Sequence, residues 1–201
     1  GRGKADYTGQ PIADAAFLEV NVTGNSQAGH IQTQLVGAHT FPNVMAAVAV
    51  ASYFKVPDNK IGPAIAGYVP SNNRSQVIRQ GSNTIIMDAY NANPSSMKAA
   101  IENFAGLQAG KKVLMLGAMM ELGADSPKEH QSLIALLERT HWDAVVLVGG
   151  DFRKATHPYI FLDNAAEAGK WLQQQQFQDT HILVKGSRST GMERVIFPAQ
   201  D

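Results

Sequence analysis

The sequence predicts the α/β class: a mostly parallel sheet with helices on both faces, preceded by the tail of a second domain. Two observations carry this. Downstream of the loop Pro70-Ser71-Asn72-Asn73-Arg74, apolar strand runs alternate regularly with segments of helical period, the pattern of a parallel sheet built from crossover units. Upstream of that loop the composition changes, and the few strand and helix patterns do not make a closed sheet by themselves. The length agrees, since 201 residues make one large domain or two small ones at about 100 to 200 residues per domain.

Taken in order, Ala16 to Val22 and His30 to Val36 read as strands around a Gly-Asn-Ser turn. Asn43 to Phe54 reads as a helix with Val44, Val48 and Ala51 on one face, and Val56 to Tyr68 holds a short second helix. Beyond the border, Thr84 to Asp88 is an apolar strand run, and Ser95 to Leu107 carries Met97, Ile101 and Phe104 at helical spacing. Lys112 to Leu116 is the next strand. Pro127 to Arg139 follows as a helix, with Ser126 and Glu129 at capping-box spacing ahead of Leu133, Ile134 and Leu137. Ala144 to Val148 and Tyr159 to Leu162 are strands, Ala165 to Gln176 is a helix ending in four glutamines, and His181 to Lys185 is the last strand. In such sheets ligands sit outside the carboxyl ends of the strands.

Composition excludes several function classes. With 17 basic and 17 acidic side chains the chain has no sequence-wide attraction to nucleic acid or to an anionic membrane, so anion binding has to be local. The absence of cysteine removes disulfides, thiolate zinc sites and thiol nucleophiles. No run approaches the roughly 18 apolar residues needed to cross a bilayer. Gly1-Arg2-Gly3-Lys4 has neither an initiator methionine nor a signal-peptide apolar region, and reads as an interior cut point or a processed end. Neither a Gly-x-x-x-x-Gly-Lys-Ser/Thr phosphate loop, nor Gly-x-Gly-x-x-Gly, nor Gly-x-Ser-x-Gly, nor a histidine pair at zinc spacing occurs. The chain reads as half of an active site, with no metal ligands.

The suggestive polar residues fall just after apolar strands. In Ile86-Met87-Asp88-Ala89-Tyr90-Asn91-Ala92-Asn93-Pro94, Asp88 ends a buried strand, where a carboxylate needs hydrogen-bond donors such as sugar hydroxyls. Asn93 followed by Pro94 fits an N-cap and first helical residue. That loop either caps its own helix only or also offers the helix end to a ligand. Glu121 and His130, after the strand exit at Gly117, form either an exposed acid and base pair for a substrate amine or a solvated loop with a helix-face histidine. Lys185-Gly186-Ser187-Arg188-Ser189 sets cations and hydroxyls around a glycine, which suits a carboxylate or phosphate and equally an exposed basic turn. Arg74 is either a border charge or a cation that reaches a phosphate.

Five ordered blocks then resemble the Mur ligases. They are Gly37-Ala38-His39-Thr40-Phe41-Pro42-Asn43 before an alanine-rich helix, Asn73-Arg74-Ser75-Gln76, Asp88 through Met97, Leu116-Gly117 through Gly123 with His130, and Lys185 through Ser189 followed by Met192-Glu193. The resemblance runs from about residue 16 to residue 196. It implies that residues 1–74 are the C-terminal part of a central ATPase domain and that residues 75–201 are a Rossmann-like C-terminal domain. It also implies an ATP-dependent, Mg2+-assisted amide ligase of the bacterial cytoplasm, monomeric and acting in peptidoglycan precursor synthesis. The Tyr90 to Pro94 and Lys185 to Arg188 blocks favour the member that joins D-alanyl-D-alanine to UDP-N-acetylmuramoyl-tripeptide through an acyl phosphate.

By the same resemblance His39 and Asn43 lie near the adenine, Arg74 faces the ATP phosphates, Asp88 binds the ribose, and Asn91 and Asn93 line the nucleotide-facing edge. Lys185, Ser187 and Arg188 face the peptide substrate, with Glu121 and His130 on the substrate side; no residue of the chain is singled out as catalytic. Ala118 stands where many relatives carry aspartate, and Ala38 and Thr40 replace a more usual arginine and asparagine. The chain alone is expected to be inactive. The alternatives are a stand-alone α/β module that binds a nucleotide or anion at the helix end after Asn93, and a sister ligase such as the folylpolyglutamate synthases.

Overall fold

A computed structural model describes residues 5–12 and 17–198. The expected strand start at Ala16 and the reading of Gly1 to Lys4 fall outside the described residues. The chain divides into two compact units, one up to Pro70 and one from Ser71 onward. That border lies slightly ahead of the one expected, because Ser71 to Ser75 form a turn bonded to the second unit.

The first unit holds a three-stranded antiparallel sheet in the order β1 (Tyr7–Ile12), β2 (Glu19–Gly24), β3 (His30–Gln32). Two helices follow, α1 (Phe41–Tyr53) and α2 (Asp58–Ala66). Val20 and Val22 alternate with outward residues along β2 and bury with Leu18, Ile31, Val44, Val48 and Ile61. Asp58, in the first turn of α2, accepts from the Ser26 hydroxyl and the Gln27 amide, which ties the β2–β3 connection to that helix. β1 was not expected: it is an edge strand with a glycine and a proline in it, and pairing with β2 holds it extended.

The second unit is a six-stranded sheet of β4 (Gln76–Gln80), β5 (Asn83–Asp88), β6 (Lys111–Gly117), β7 (Ala144–Val148), β8 (Ile160–Leu162) and β9 (Thr180–Lys185). Its order is β4-β5-β9-β6-β7-β8, with β4 antiparallel to β5 and every other pair parallel. The helices are α3 (Pro94–Gly106), α4 (Ser126–Leu137) and α5 (Ala165–Gln175). On one sheet face Ile85, Met87, Val113, Met115, Val146, Ile182 and Val184 pack with Ala165 and Ala168 of α5 and with Met192 and Val195. The alternate positions Ile86, Leu114, Leu116, Leu147 and Leu183 are buried as well, as strands covered on both faces require. Among the described residues no helix is long and apolar enough to cross a membrane.

β4 was also missed; it is a short polar edge strand. The expected capping box at Ser126 is replaced by a different arrangement. A 3-10 turn, Gly123–Asp125, runs straight into α4, so Ser126 is already helical and Asp125 stands at the N-cap without a side-chain bond. The Asn93 cap is present: its side chain accepts from the Ser96 amide while the Ser96 hydroxyl accepts from the Asn93 amide, a complete capping box with Pro94 in the first turn.

Candidate functional site

The insertion of β9 between β5 and β6 brings the loops after these three strands together at the carboxyl edge of the sheet. Their first link is an ion pair. Asp88 and Lys185 are register partners at the ends of β5 and β9, and the Lys185 Nζ donates to Asp88 Oδ2 at 2.6 Å and to the Asn91 carbonyl at 3.2 Å. The lysine side chain is 2% exposed and the aspartate 21%. Asp88 Oδ1 accepts from the Ser75 amide at 3.1 Å and the Ser75 hydroxyl at 3.4 Å. These bonds hold Ser75 in a left-handed conformation, φ 49, that a serine adopts only at a cost of about 1 kcal/mol.

Two further links lock the remaining loop. The Ser187 hydroxyl accepts from the Met120 amide and donates to the Ala92 carbonyl, and the Ser187 amide donates to the Ala118 carbonyl. His130 accepts the Met119 amide proton on Nε2 at 3.1 Å and, from Nδ1, donates to the Ser126 carbonyl at 2.7 Å. That pairing assigns a neutral ring with its proton on Nδ1. The ring is fully buried, edge-on to Phe152. Nearby, a hydrogen bond from Lys154 and a second from Ser126 hold the Asp151 carboxyl below its usual range. Gly117 and Gly186 allow the strand ends to close: a Cβ on Gly186 would meet Met192 Cγ at 2.7 Å and the Gly117 Cα at 2.9 Å.

Several expected roles change in consequence. The exposed Glu121 and His130 pair does not form, because His130 is sealed inside with both ring nitrogens engaged while Glu121 stands exposed at φ 64. Lys185 does not present its ammonium to a peptide substrate; it is buried against Asp88 and Asn91. The Ser187 hydroxyl is engaged within the protein and 4% exposed. Asp88 keeps one acceptor position, on Oδ2, after its three bonds. The helix end after Asn93 is likewise satisfied, since Pro94 has no N–H and Asn93 caps Ser96, which removes most of the donors an anion would use there.

Other expected residues stand exposed. Asn91 and Asn93 are exposed, and their side-chain oxygens accept from the Ala92 and Ser96 amides. Arg74 and Arg188 are exposed and meet on one aromatic ring: the Arg74 Cζ lies 3.7 Å from the Tyr90 ring centre and the Arg188 Cζ 5.4 Å. The Tyr90 phenol is held below its usual value, first by the Arg74 guanidinium beside it and then by the charge of Arg188. Sequence patterning gives Tyr90 no role, although an aromatic among polar residues at a strand exit is a visible signal. His39, in a 3-10 turn (Ala38–Thr40), and Asn43, in the first turn of α1, are exposed residues of the first unit. Ala118 is fully buried with Gly150 against its side chain, so the position is a packing contact here. No group of three or more His, Asp or Glu side chains among the described residues is placed to hold a metal ion.

The fold and this edge define an α/β unit that gathers the loops of three strands at a topological switch point, the place where open sheets of this kind bind ligands. The chain belongs to the Mur ligase family. Residues 73–188 match the family pattern described as Mur ligase, glutamate ligase domain. The chain is 33% identical over 178 residues to the UDP-N-acetylmuramoyl-tripeptide--D-alanyl-D-alanine ligase of Treponema pallidum, covering 84% of this chain and 39% of that protein. The crystal structure of MurF from Acinetobacter baumannii superposes with a TM-score of 0.84 at 28% identity, over 98% of this chain and 45% of that one. A Mycobacterium tuberculosis folylpolyglutamate synthase shares the fold at a TM-score of 0.69 and 18% identity, over 98% of this chain and 49% of that one. The chain thus spans less than half the length of the curated relatives it matches.

Proposed function

We propose that this chain forms the C-terminal part of an ATP-dependent amide ligase that adds D-alanyl-D-alanine to UDP-N-acetylmuramoyl-tripeptide in the bacterial cytoplasm, acting as a monomer. Residues 1–74 would close a central ATPase domain and residues 75–201 would form the C-terminal domain. The observation that carries the reading is the carboxyl edge of the second unit, where Arg74 and Arg188 stand exposed beside an Asp88 that retains one free acceptor position. The likeness to D-alanyl-D-alanine ligases over most of the chain supports the dipeptide over a glutamate acceptor.

In the proposed reaction the tripeptide carboxylate takes the γ-phosphoryl group of ATP as the bond from that phosphorus to the β–γ bridging oxygen breaks and ADP leaves. The dipeptide amine then attacks the acyl carbon, a C–N bond forms, the amine gives up a proton to solvent, the C–O bond breaks, and phosphate leaves. Within this scheme Arg74 offsets negative charge on the phosphoryl oxygens. Asp88 accepts from one ribose hydroxyl, while Asn91 and Asn93 offer amide donors to the nucleotide edge, and His39 and Asn43 serve the adenine. Glu121, an exposed acid in the loop after the strand exit at Gly117, suits an ammonium group of the peptide substrate. Magnesium would add charge compensation, but the donor groups among the described residues do not make its site, so no role of this chain is routed through it.

The reading frame upstream of residue 1 is expected to encode a Gly-Thr-x-Gly-Lys-Thr phosphate loop. The protein from the whole frame should release phosphate from ATP only with both peptide substrates present, and the 201-residue chain should release none. Turnover with glutamate in place of D-alanyl-D-alanine would move the protein to the folylpolyglutamate synthase side. A frame that opens at residue 1 would refute the ligase.

A further inference from the structure

Tyr90 takes no part in the chemistry above, yet it lies where three segments of the second unit converge. The entry turn is laced to the end of β5 by the Ser75 bonds to Asp88 and by the Tyr90 amide, which donates to the Asn73 carbonyl at 3.2 Å. This lacing lays Arg74 on the Tyr90 ring at 3.7 Å. From the loop after β9, Arg188 reaches the same ring at 5.4 Å. Neither arginine pairs with a carboxylate among the described residues. Two like charges on one ring repel each other, and the ring offsets only part of that, at about 0.5 to 1 kcal/mol per exposed contact. A multivalent anion with oxygens for both guanidinium forks removes the repulsion.

We infer that Tyr90 is a positioning residue that draws Arg74 and Arg188 onto one phosphoryl anion, so that the two cations act as a single clamp. This deepens the ligase reading and rests on it for the identity of the anion. It also moves Arg188 from the peptide side, where the resemblance placed it, to the phosphate side. Tyr90 does so through its face, which phenylalanine shares, and its hydroxyl is dispensable for the task.

The test uses the 201-residue chain and inorganic tripolyphosphate, titrated calorimetrically at fixed ionic strength. The chain should bind one tripolyphosphate. Y90F should hold the affinity within about twofold, whereas Y90L should weaken it about tenfold, the loss of two cation–π contacts. R74Q and R188Q should each weaken binding, and the double variant should lose less than the product of the two, because one anion serves both. In the Y90L background the two losses should become independent. Affinity unchanged in Y90L, no effect of R188Q, or no binding at millimolar tripolyphosphate would each overturn the clamp. If Y90L fails to fold, Y90F and the R74Q/R188Q cycle decide alone. Because the assay needs no turnover, a failed ligase assay leaves the clamp standing, and a failed titration leaves the ligase assay unaffected.

Discussion

Lys185→Met retains the length of the side chain and removes its charge. In the native protein the ammonium is 2% exposed and bonded to Asp88 and to the Asn91 carbonyl. The variant leaves Asp88 with its two Ser75 donors only and leaves the Asn91 carbonyl without a donor. Removing one partner of a fully buried pair costs about 3 to 5 kcal/mol. Asp88 is still 21% exposed, so water recovers part of this, and a loss of about 2 to 3 kcal/mol is expected. Both tryptophans, Trp142 and Trp171, belong to the second unit, so their fluorescence follows the unfolding of that unit alone. With a urea slope of about 2 kcal/mol/M, the midpoint should fall by about 1 to 1.5 M. D88N combined with K185M should be less destabilised than the two single variants added together, since the second change removes the charge that the first leaves unpaired. A K185M midpoint within about 0.3 M of wild type, well under the expected shift, would refute the argument and return Lys185 to the pool of ligand-facing cations.

Three further outcomes follow from the same geometry. H130Q should lower stability by about 1 to 3 kcal/mol, because the buried Met119 amide loses its acceptor; lost turnover in the ligase with an unchanged urea midpoint would instead make His130 an acid or base. G186A should cost about 1 to 3 kcal/mol in thermal or urea unfolding, since the new Cβ meets Met192 and the Gly117 backbone, and an unchanged melting temperature would show that the strand ends have slack. His181, whose buried Nδ1 finds no partner among the described residues, is held below the ordinary imidazole value by burial, then by Arg79 and Lys112. The unfolded chain therefore takes up a proton near pH 6.5 while the folded chain does not, so this contribution is complete above about pH 6.5 and is lost as pH falls toward the folded value. H181Q should flatten that acid limb of the stability profile, and an unaltered slope would assign it to other groups.

The sequence patterns located the strands and helices of the second unit to within a few residues, because each buried strand is an apolar run and each helix shows an apolar stripe. They failed where an element draws its stability from a partner distant in sequence: β1 and β4 are polar edge strands that only pairing makes visible. The site shows the same division more sharply. Every polar residue just after a strand qualified as ligand-facing, and spacing alone cannot tell a side chain that faces the mouth from one that turns back to lock the loops. Asp88 and Lys185 are 97 positions apart, and their pairing follows only from β9 lying between β5 and β6, an order that no local pattern encodes. Once that order is known the partition is physical. Lys185, Ser187 and His130 are buried and act through the loops they fix, while Arg74, Tyr90 and Arg188 are held at the surface by those loops. The motif that marks the family is therefore mostly internal structure, and the exposed cations it supports among the described residues include two arginines on one ring. Substitutions among the buried set should be read out first in stability, and those among the exposed set first in anion affinity.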